Sequence, residues 1–254
     1  MRAASSSPPS AVLDRAFALL DVFGPGRFEL TLAELAAGSG LPRSTAHRLA
    51  AHLERLGALE RTPRGWRVGV RMFELGQLVP SQLQLRERAL PFMGDLYEAT
   101  HQTVHLAVLE QQDVVYVEVI AGHQKVRSPS RRGGRVPAHC TAVGKVLLAF
   151  APELPPLEGP ELAARTARTI TDREQLRWEL GEVRLTGLAY DDEEAMPGLC
   201  CVAAPVMSHR GAVAALSISM PVDAELTPRQ AAPILRTAAR GLSRDLQGRG
   251  LAPS

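Results

Sequence analysis

The sequence predicts an α+β protein. Its N-terminal part reads as a winged helix-turn-helix, a connecting helix follows, and its C-terminal part reads as an antiparallel sheet flanked by helices. Three observations carry this. Three helical patterns, the last two joined by a tight glycine turn, precede a short hairpin pattern. From Gln102 the runs TVHLAVLE and DVVYVEVIA are rich in β-branched residues. Helical patterns then flank further strand-like runs. The 254 residues, 45 % hydrophobic and 22 % charged, are enough for one large domain or two modest ones with a proper core.

Residues 1–9 carry Ser and Pro and read as a disordered tail. Residues 10–72 form the winged helix-turn-helix. From Ser10, Val12, Leu13, Ala16, Phe17, Leu19, Leu20 and Phe23 make an apolar stripe that GPG ends. Thr31 and Glu34 form a capping box, so a second helix starts at Leu32 and stops at Gly38–Gly40. Pro42 opens a third helix at its first helical position, with Ala46, Leu49, Leu53 and Leu56 as its buried face. ALERTPRGWRVG is two short strands around the turn TPRG. Residues 73–88 read as a connecting helix and 89–250 as the second domain. There, Gln-Gln separates two strands, and SPSRRGGR is a basic loop. TAVGKVLLAF is a short helix, APELPPLEGP a proline-rich loop, and TDREQLRWELGEVRLTG a helix capped by Thr171 and Glu174. LAYDDEEAMPG is an acidic loop, CCVAAPVM and AVAALSISM are strands, and the segment from Thr227 is a terminal helix.

Formal net charge is only +2, so nucleic-acid binding needs a local basic patch. The third helix supplies one. With its apolar face inward, Arg43, Ser44, His47 and Arg48 face solvent near its N-terminus, and Thr45 sits at the margin. That end meets base edges when a recognition helix enters the major groove. Arginine can fork onto guanine, and hydroxyls can take phosphates or bases. Arg61, Arg64 and Arg67 would put charge on the wing, where phosphates pass. The plainer alternative is a solvated amphipathic helix. The order of elements favours DNA.

The three cysteines, Cys140, Cys200 and Cys201, form neither a disulfide framework nor a C-x-x-C metal pair. GRVPAHCTAVGK ends in Gly-Lys but fails as a phosphate loop, because Val146 replaces the magnesium-binding hydroxyl. Cys140 beside His139 is a poor nucleophile–base pair, and a packed thiol is the better reading. His101, His105, His123 and His139 read as solvated or hydrogen-bonded, not as a metal site. No cofactor and no metal are predicted. The run DDEE at 191–194 reads as a solvated loop, against paired catalytic carboxylates. No apolar run is long enough to span a bilayer, and MRAASSSPPS lacks the apolar core of a signal peptide, so the expected compartment is the cytoplasm.

Three stretches together resemble one family, the IclR-type transcriptional regulators: TLAELAAGSGLPRSTAHRLAAHLERLGALER, GRVPAHCTAVGKVLLA and GLAYDDEEAMPGLCCVAAPVMSHRGAVAALSISMP. The resemblance runs from Ser10 over nearly the whole chain. It implies a GAF-like effector-binding domain behind the winged helix-turn-helix, and no catalysis. It implies that Asp191, the backbone of Ala142 and Val143, Leu199, Cys201, Ser217 and Ser219 line an effector pocket. It further implies a homodimer or homotetramer on near-palindromic double-stranded operator DNA, responsive to a small carboxylic or aromatic acid. The competing reading from another class is a cysteine-dependent hydrolase or transferase using Cys140 or Cys201, with the N-terminal part as an interaction module.

Overall fold

The computed structural model describes residues 11–24, 26–123, 130–151, 162–209 and 211–249. The expected tail and nearly all of the proline-rich loop lie outside the described residues. The chain divides into two units, residues 1–80 and 81–254.

The first unit begins with α1 (Val12–Leu20), α2 (Leu32–Ser39) and α3 (Arg43–Arg55). Its three-stranded antiparallel sheet is ordered β1 (Glu29–Leu30), β3 (Trp66–Val68), β2 (Leu59–Arg61). The capping box holds: Thr31 Oγ1 accepts the N–H of Glu34 at 3.3 Å, and the Glu34 carboxylate accepts the N–H of Thr31 at 2.8 Å. Gly40 ends α2 at φ +68°, a left-handed conformation that glycine adopts without strain. Pro42 is the N-cap of α3 rather than its first helical residue. Ala46, Leu49, Ala50 and Leu53 bury that helix against Leu19, Leu30, Leu35 and Trp66. Leu56, expected on the same face, is exposed because α3 has already ended there. The α1 stripe is also split: Leu19 is buried, whereas Val12, Leu13 and Phe17 face out. β1 was not expected, since two residues carry no periodicity. It seats against the wing at Gly65, where a Cβ would come within 2.0 Å of the Leu30 carbonyl oxygen. A short α4 (Val70–Gly76) follows.

All but the first residue of α5 (Pro80–Thr100) belongs to the second unit. Residues 73–88 are therefore not one continuous helix: they run from the end of α4 through a break into the first turns of α5. Next come β4 (Thr103–Glu110), β5 (Asp113–Ile120), β6 (Arg135–Pro137), α6 (Ala142–Ala149), α7 (Arg173–Thr186), β7 (Ala189–Asp192), β8 (Leu199–Ser208), β9 (Gly211–Pro221) and α8 (Pro228–Arg249). The six strands form one antiparallel sheet in the order β6-β5-β4-β9-β8-β7. Alternation sends successive side chains to opposite faces. Leu106, Val202, Leu216 and Ile218 pack on α5 and α8. Tyr116, Ala203 and Ala215 pack on α6 and α7.

Two local expectations are corrected. The cap of α7 is Asp172, whose carboxylate accepts the N–H of Gln175 at 2.7 Å, not Thr171. The start of the acidic loop is strand β7, which places Asp191 inside the sheet. The first is a local choice between two adjacent cap-forming residues, and the second follows from the pairing of β7 with β8, which a short polar run does not reveal.

Candidate functional site

In the first unit the eight basic and polar residues singled out above lie on α3 and the wing. Arg43, Ser44, His47 and Arg48 are exposed on the first turns of α3, and Thr45 is half-buried. Arg61, Arg64 and Arg67 are exposed on the hairpin, with Arg64 in the tight turn closed by Thr62 and Gly65. Two of the three wing arginines are engaged. Arg67 pairs with Glu60 at 2.7 Å. The Arg61 guanidinium lies 3.9 Å from the centroid of the Trp66 ring, a cation–π contact. Among the described residues, Arg43, Arg48 and Arg64 have no carboxylate within 4 Å. Trp66 joins the parts: its Nε1 donates to Glu54 of α3 at 3.0 Å, and the His47 ring meets it edge-on at 6.1 Å.

In the second unit all seven expected pocket residues line one cavity of about 10 Å³. The strand register explains why. Asp191, Cys201 and Ser219 sit directly opposite one another across β7, β8 and β9. Ser217 sits opposite His105 on β4. The roof is the start of α6. Thr141 caps that helix by accepting the N–H of Gly144 at 3.0 Å, and Lys145 N–H starts the helical ladder on the Thr141 carbonyl. Among the described residues the amides of Ala142 and Val143 have no acceptor, at a helix N-terminus where an anion is favoured. Gly144 permits the close seat of α6, since a Cβ there would come within 2.1 Å of the Ala138 carbonyl oxygen.

Several neighbours were not singled out from the sequence. Tyr116, Ser130, Thr141 and Ala195 complete the lining. His105 lies beneath, with Nδ1 at 3.3 and 3.4 Å from the hydroxyls of Ser217 and Ser219, and Nε2 at 2.6 Å from Ser130. Burial drives its imidazole down to about 4, so the ring is neutral at pH 7. The signal available was the period of two, which puts Tyr116 with Val114 and His105 with Ala107 on the α6 side.

The four acidic residues at 191–194 have four different fates. Burial pushes the Asp191 carboxyl up to about 7, although the Glu194 and Ala195 amides, donating at 2.8 and 3.3 Å, pull the other way. Asp192 is exposed and paired with Arg168 at 2.5 Å. Glu193, at φ +61°, accepts the N–H of Gly198 at 2.7 Å. Glu194 is buried on Lys145. Of the solvated-loop reading only the exposure of Asp192 remains, and that residue ends strand β7. Lys145 points inward, fully buried, and bridges Glu179 of α7 and Glu194.

The cysteine-enzyme reading finds no support. Burial pushes Cys140 up to about 12 and Cys201 well above the ordinary thiol value. His139 turns away to the carbonyl of Ala163 at 3.0 Å. The remaining histidines scatter: His101 stacks on His123 at 4.8 Å, far in role from the buried His105. No group of three potential metal ligands occurs among the described residues.

Comparison with known proteins identifies the two domains. Residues 12–63 match the IclR helix-turn-helix domain, and residues 77–244 match the family described as bacterial transcriptional regulator IclR C-terminal. The chain is 36 % identical over 213 residues to the HTH-type transcriptional regulator XynR of Escherichia coli, covering 82 % of this chain and 84 % of that protein. It is 36 % identical over 242 residues to KdgR of the same organism, covering 92 % and 91 %. Among solved structures, an IclR homologue from Microbacterium hydrocarbonoxydans complexed with 4-hydroxybenzoate superposes with a TM-score of 0.82 at 31 % identity, covering 93 % of this chain and 99 % of that one. The Thermotoga maritima IclR gives 0.71 at 32 % identity, covering 92 % and 98 %. These relatives are regulators, not enzymes, and the chain belongs to the IclR family of transcriptional regulators, with a helix-turn-helix domain and an effector-binding domain.

Proposed function

We propose that this regulator reads near-palindromic operator DNA with α3 and its wing, and that a small acid carrying both a carboxylate and a hydroxyl group sets its affinity. Residues 10–72 read DNA, 73–88 connect, and 89–250 sense the ligand. Arg43, Ser44, Thr45, His47 and Arg48 face the bases and nearby phosphates, and Arg61, Arg64 and Arg67 face the backbone. It acts where the DNA is, in the cytoplasm, as a homodimer or homotetramer. The exposed Leu13 and Phe17, four residues apart on α1, supply an apolar surface for pairing.

The observation that carries the sensing half is the convergence of Ala142, Val143, Asp191, Leu199, Cys201, Ser217 and Ser219 on one cavity. The α6 amides suit a carboxylate, and the two serines with neutral His105 suit a hydroxyl. Asp191 repels an anion when ionised. With its carboxyl near 7 it donates a hydrogen bond once protonated. The 4-hydroxybenzoate held by the Microbacterium relative has this pair of groups. A cavity of about 10 Å³ has room for a single water, so an acid of that size enters only if the lining moves. Such movement gives the ligand different affinities for two arrangements of the protein, which ligand control of DNA binding requires.

The test is fluorescence anisotropy on the DNA upstream of the protein's own gene, at about 150 mM salt, with scrambled DNA alongside and a panel of hydroxybenzoates and small keto acids. The expected result is sequence-selective binding that at least one acid alters. Identical binding to both DNAs, unchanged in Arg48→Ala, would remove α3 from the reading. Selective binding that no acid moves would remove the effector class.

A further inference from the structure

The second unit carries a larger groove, of about 610 Å³, away from the Asp191 cavity. It opens where the sheet loses a strand. β7 pairs with β8 only as far as Ala203, so among the described residues the remainder of β8 is paired on its β9 side alone. Pro205 on that edge, with Phe150 after α6 and Thr186 at the end of α7, lines the groove opposite α8. From α8 come Arg236, Arg240 and Arg244, spaced at i, i+4 and i+8 so that all three share one helix face.

This face is electrostatically unbalanced. Among the described residues, none of the three guanidinium groups has a carboxylate within 4 Å. Arg236 gives one Nη2 N–H to the Thr186 carbonyl at 3.2 Å, but its Nε is buried without a partner among the described residues. A buried donor without an acceptor is costly unless a ligand supplies one. At a rise of about 1.5 Å per residue the three arginines span roughly 12 Å, in two steps of about 6 Å. The groove volume falls within the range of small-molecule sites, about 300–1,000 Å³. Pro205 removes a backbone donor from the free edge, which disfavours an added strand and favours a compact ligand. Guanidinium forks match carboxylate and phosphate alike. A phosphate carries nearly two charges at pH 7, so two of them can balance three arginines, which two carboxylates cannot.

We propose that this groove is a second ligand site, separate from the Asp191 cavity, for a small phosphorylated metabolite with two phosphate groups about 6–12 Å apart. The site would let the regulator register a phosphorylated compound independently of its acid effector.

The test is calorimetric titration of the full-length protein with fructose 1,6-bisphosphate, and with inorganic phosphate as the single-group control. The bisphosphate should bind at least tenfold more tightly. Arg240→Ala and Arg244→Ala should each weaken it about tenfold or more. Both side chains are exposed, so the melting temperature should hold. Asp191→Asn should leave bisphosphate binding intact. Equal affinity for the two probes would overturn the proposal, as would undiminished binding by both arginine variants. It would also fall if the wild type bound neither probe while the two variants lost DNA affinity on all sequences. That pattern would make the groove a nucleic-acid contact.

Discussion

At the scale of single residues, the arginines divide by what already holds them. Arg48 has no internal carboxylate among the described residues, so Arg48→Ala should weaken operator binding by about 1–3 kcal/mol and relax specificity at one base position. Arg64→Ala should weaken all sequences alike and lower the salt slope by about one. Arg67 is committed to Glu60, so Arg67→Ala should change the salt slope less than Arg64→Ala does. A salt titration of each variant on operator and scrambled DNA separates the three outcomes. The cavity makes a pH prediction. Asp191 has its folded value raised to about 7 from 3.8, so its contribution is full below about pH 4 and is lost as pH rises through 7. His105 is lowered to about 4 from 6.5, so its contribution is full above 6.5 and is lost as pH falls through 4. Between about pH 4 and 6.5 the two slopes oppose each other. Asp191→Asn should therefore uncover the histidine term: urea denaturation of that variant should show stability falling more steeply on acidification than in the wild type.

At the scale of elements, α6 shows what a strong local signal can and cannot say. Its place was legible as the short apolar run TAVGKVLLAF, within which α6 covers Ala142–Ala149 and Thr141 is the cap. The reason for Gly144 was not, since it lies in the distant carbonyl of Ala138. Gly144→Ala should cost about 1–3 kcal/mol by overpacking, read as a shift of the denaturation midpoint at unchanged slope. Lys145 is similar. Its motif looked like a phosphate loop and was rejected on its neighbours, but its service as a buried tie between α6, α7 and the loop after β7 depends on Glu179 and Glu194, 34 and 49 residues away. Lys145→Met strands two carboxylates and should cost about 3–5 kcal/mol. The seven residues that line the cavity were legible through the family resemblance, and spacing alone put only Ser217 and Ser219 on one face of β9. Tyr116 was missed as lining, and His105 as the partner of Ser217 and Ser219 beneath it, because strand register, unlike strand propensity, is a long-range property. The acidic run misled for the same reason: pairing of Asp191 with Cys201 turned an apparent loop into an edge strand.

At the scale of the whole molecule, self-association is the first expectation to check. Leu13 and Phe17 are 73 % and 55 % exposed, which is unfavourable for an isolated chain. Replacing both with glutamate should lower the mass seen by light scattering to that of a smaller assembly, and operator affinity should fall with it. An unchanged mass would move the pairing surface elsewhere. The chain also contains only two tryptophans, and they fall one to each unit. Trp66 is buried at the foot of the wing, clasped by Glu54, Arg61 and His47, whereas Trp178 on α7 is 70 % exposed. A shielded indole emits toward the blue and a wet one toward the red. The protein thus carries its own pair of optical gauges. DNA that draws Arg61 off the Trp66 ring should alter the blue component, and events on α7 should alter the red. Each unit can be followed in the unlabelled molecule by its colour.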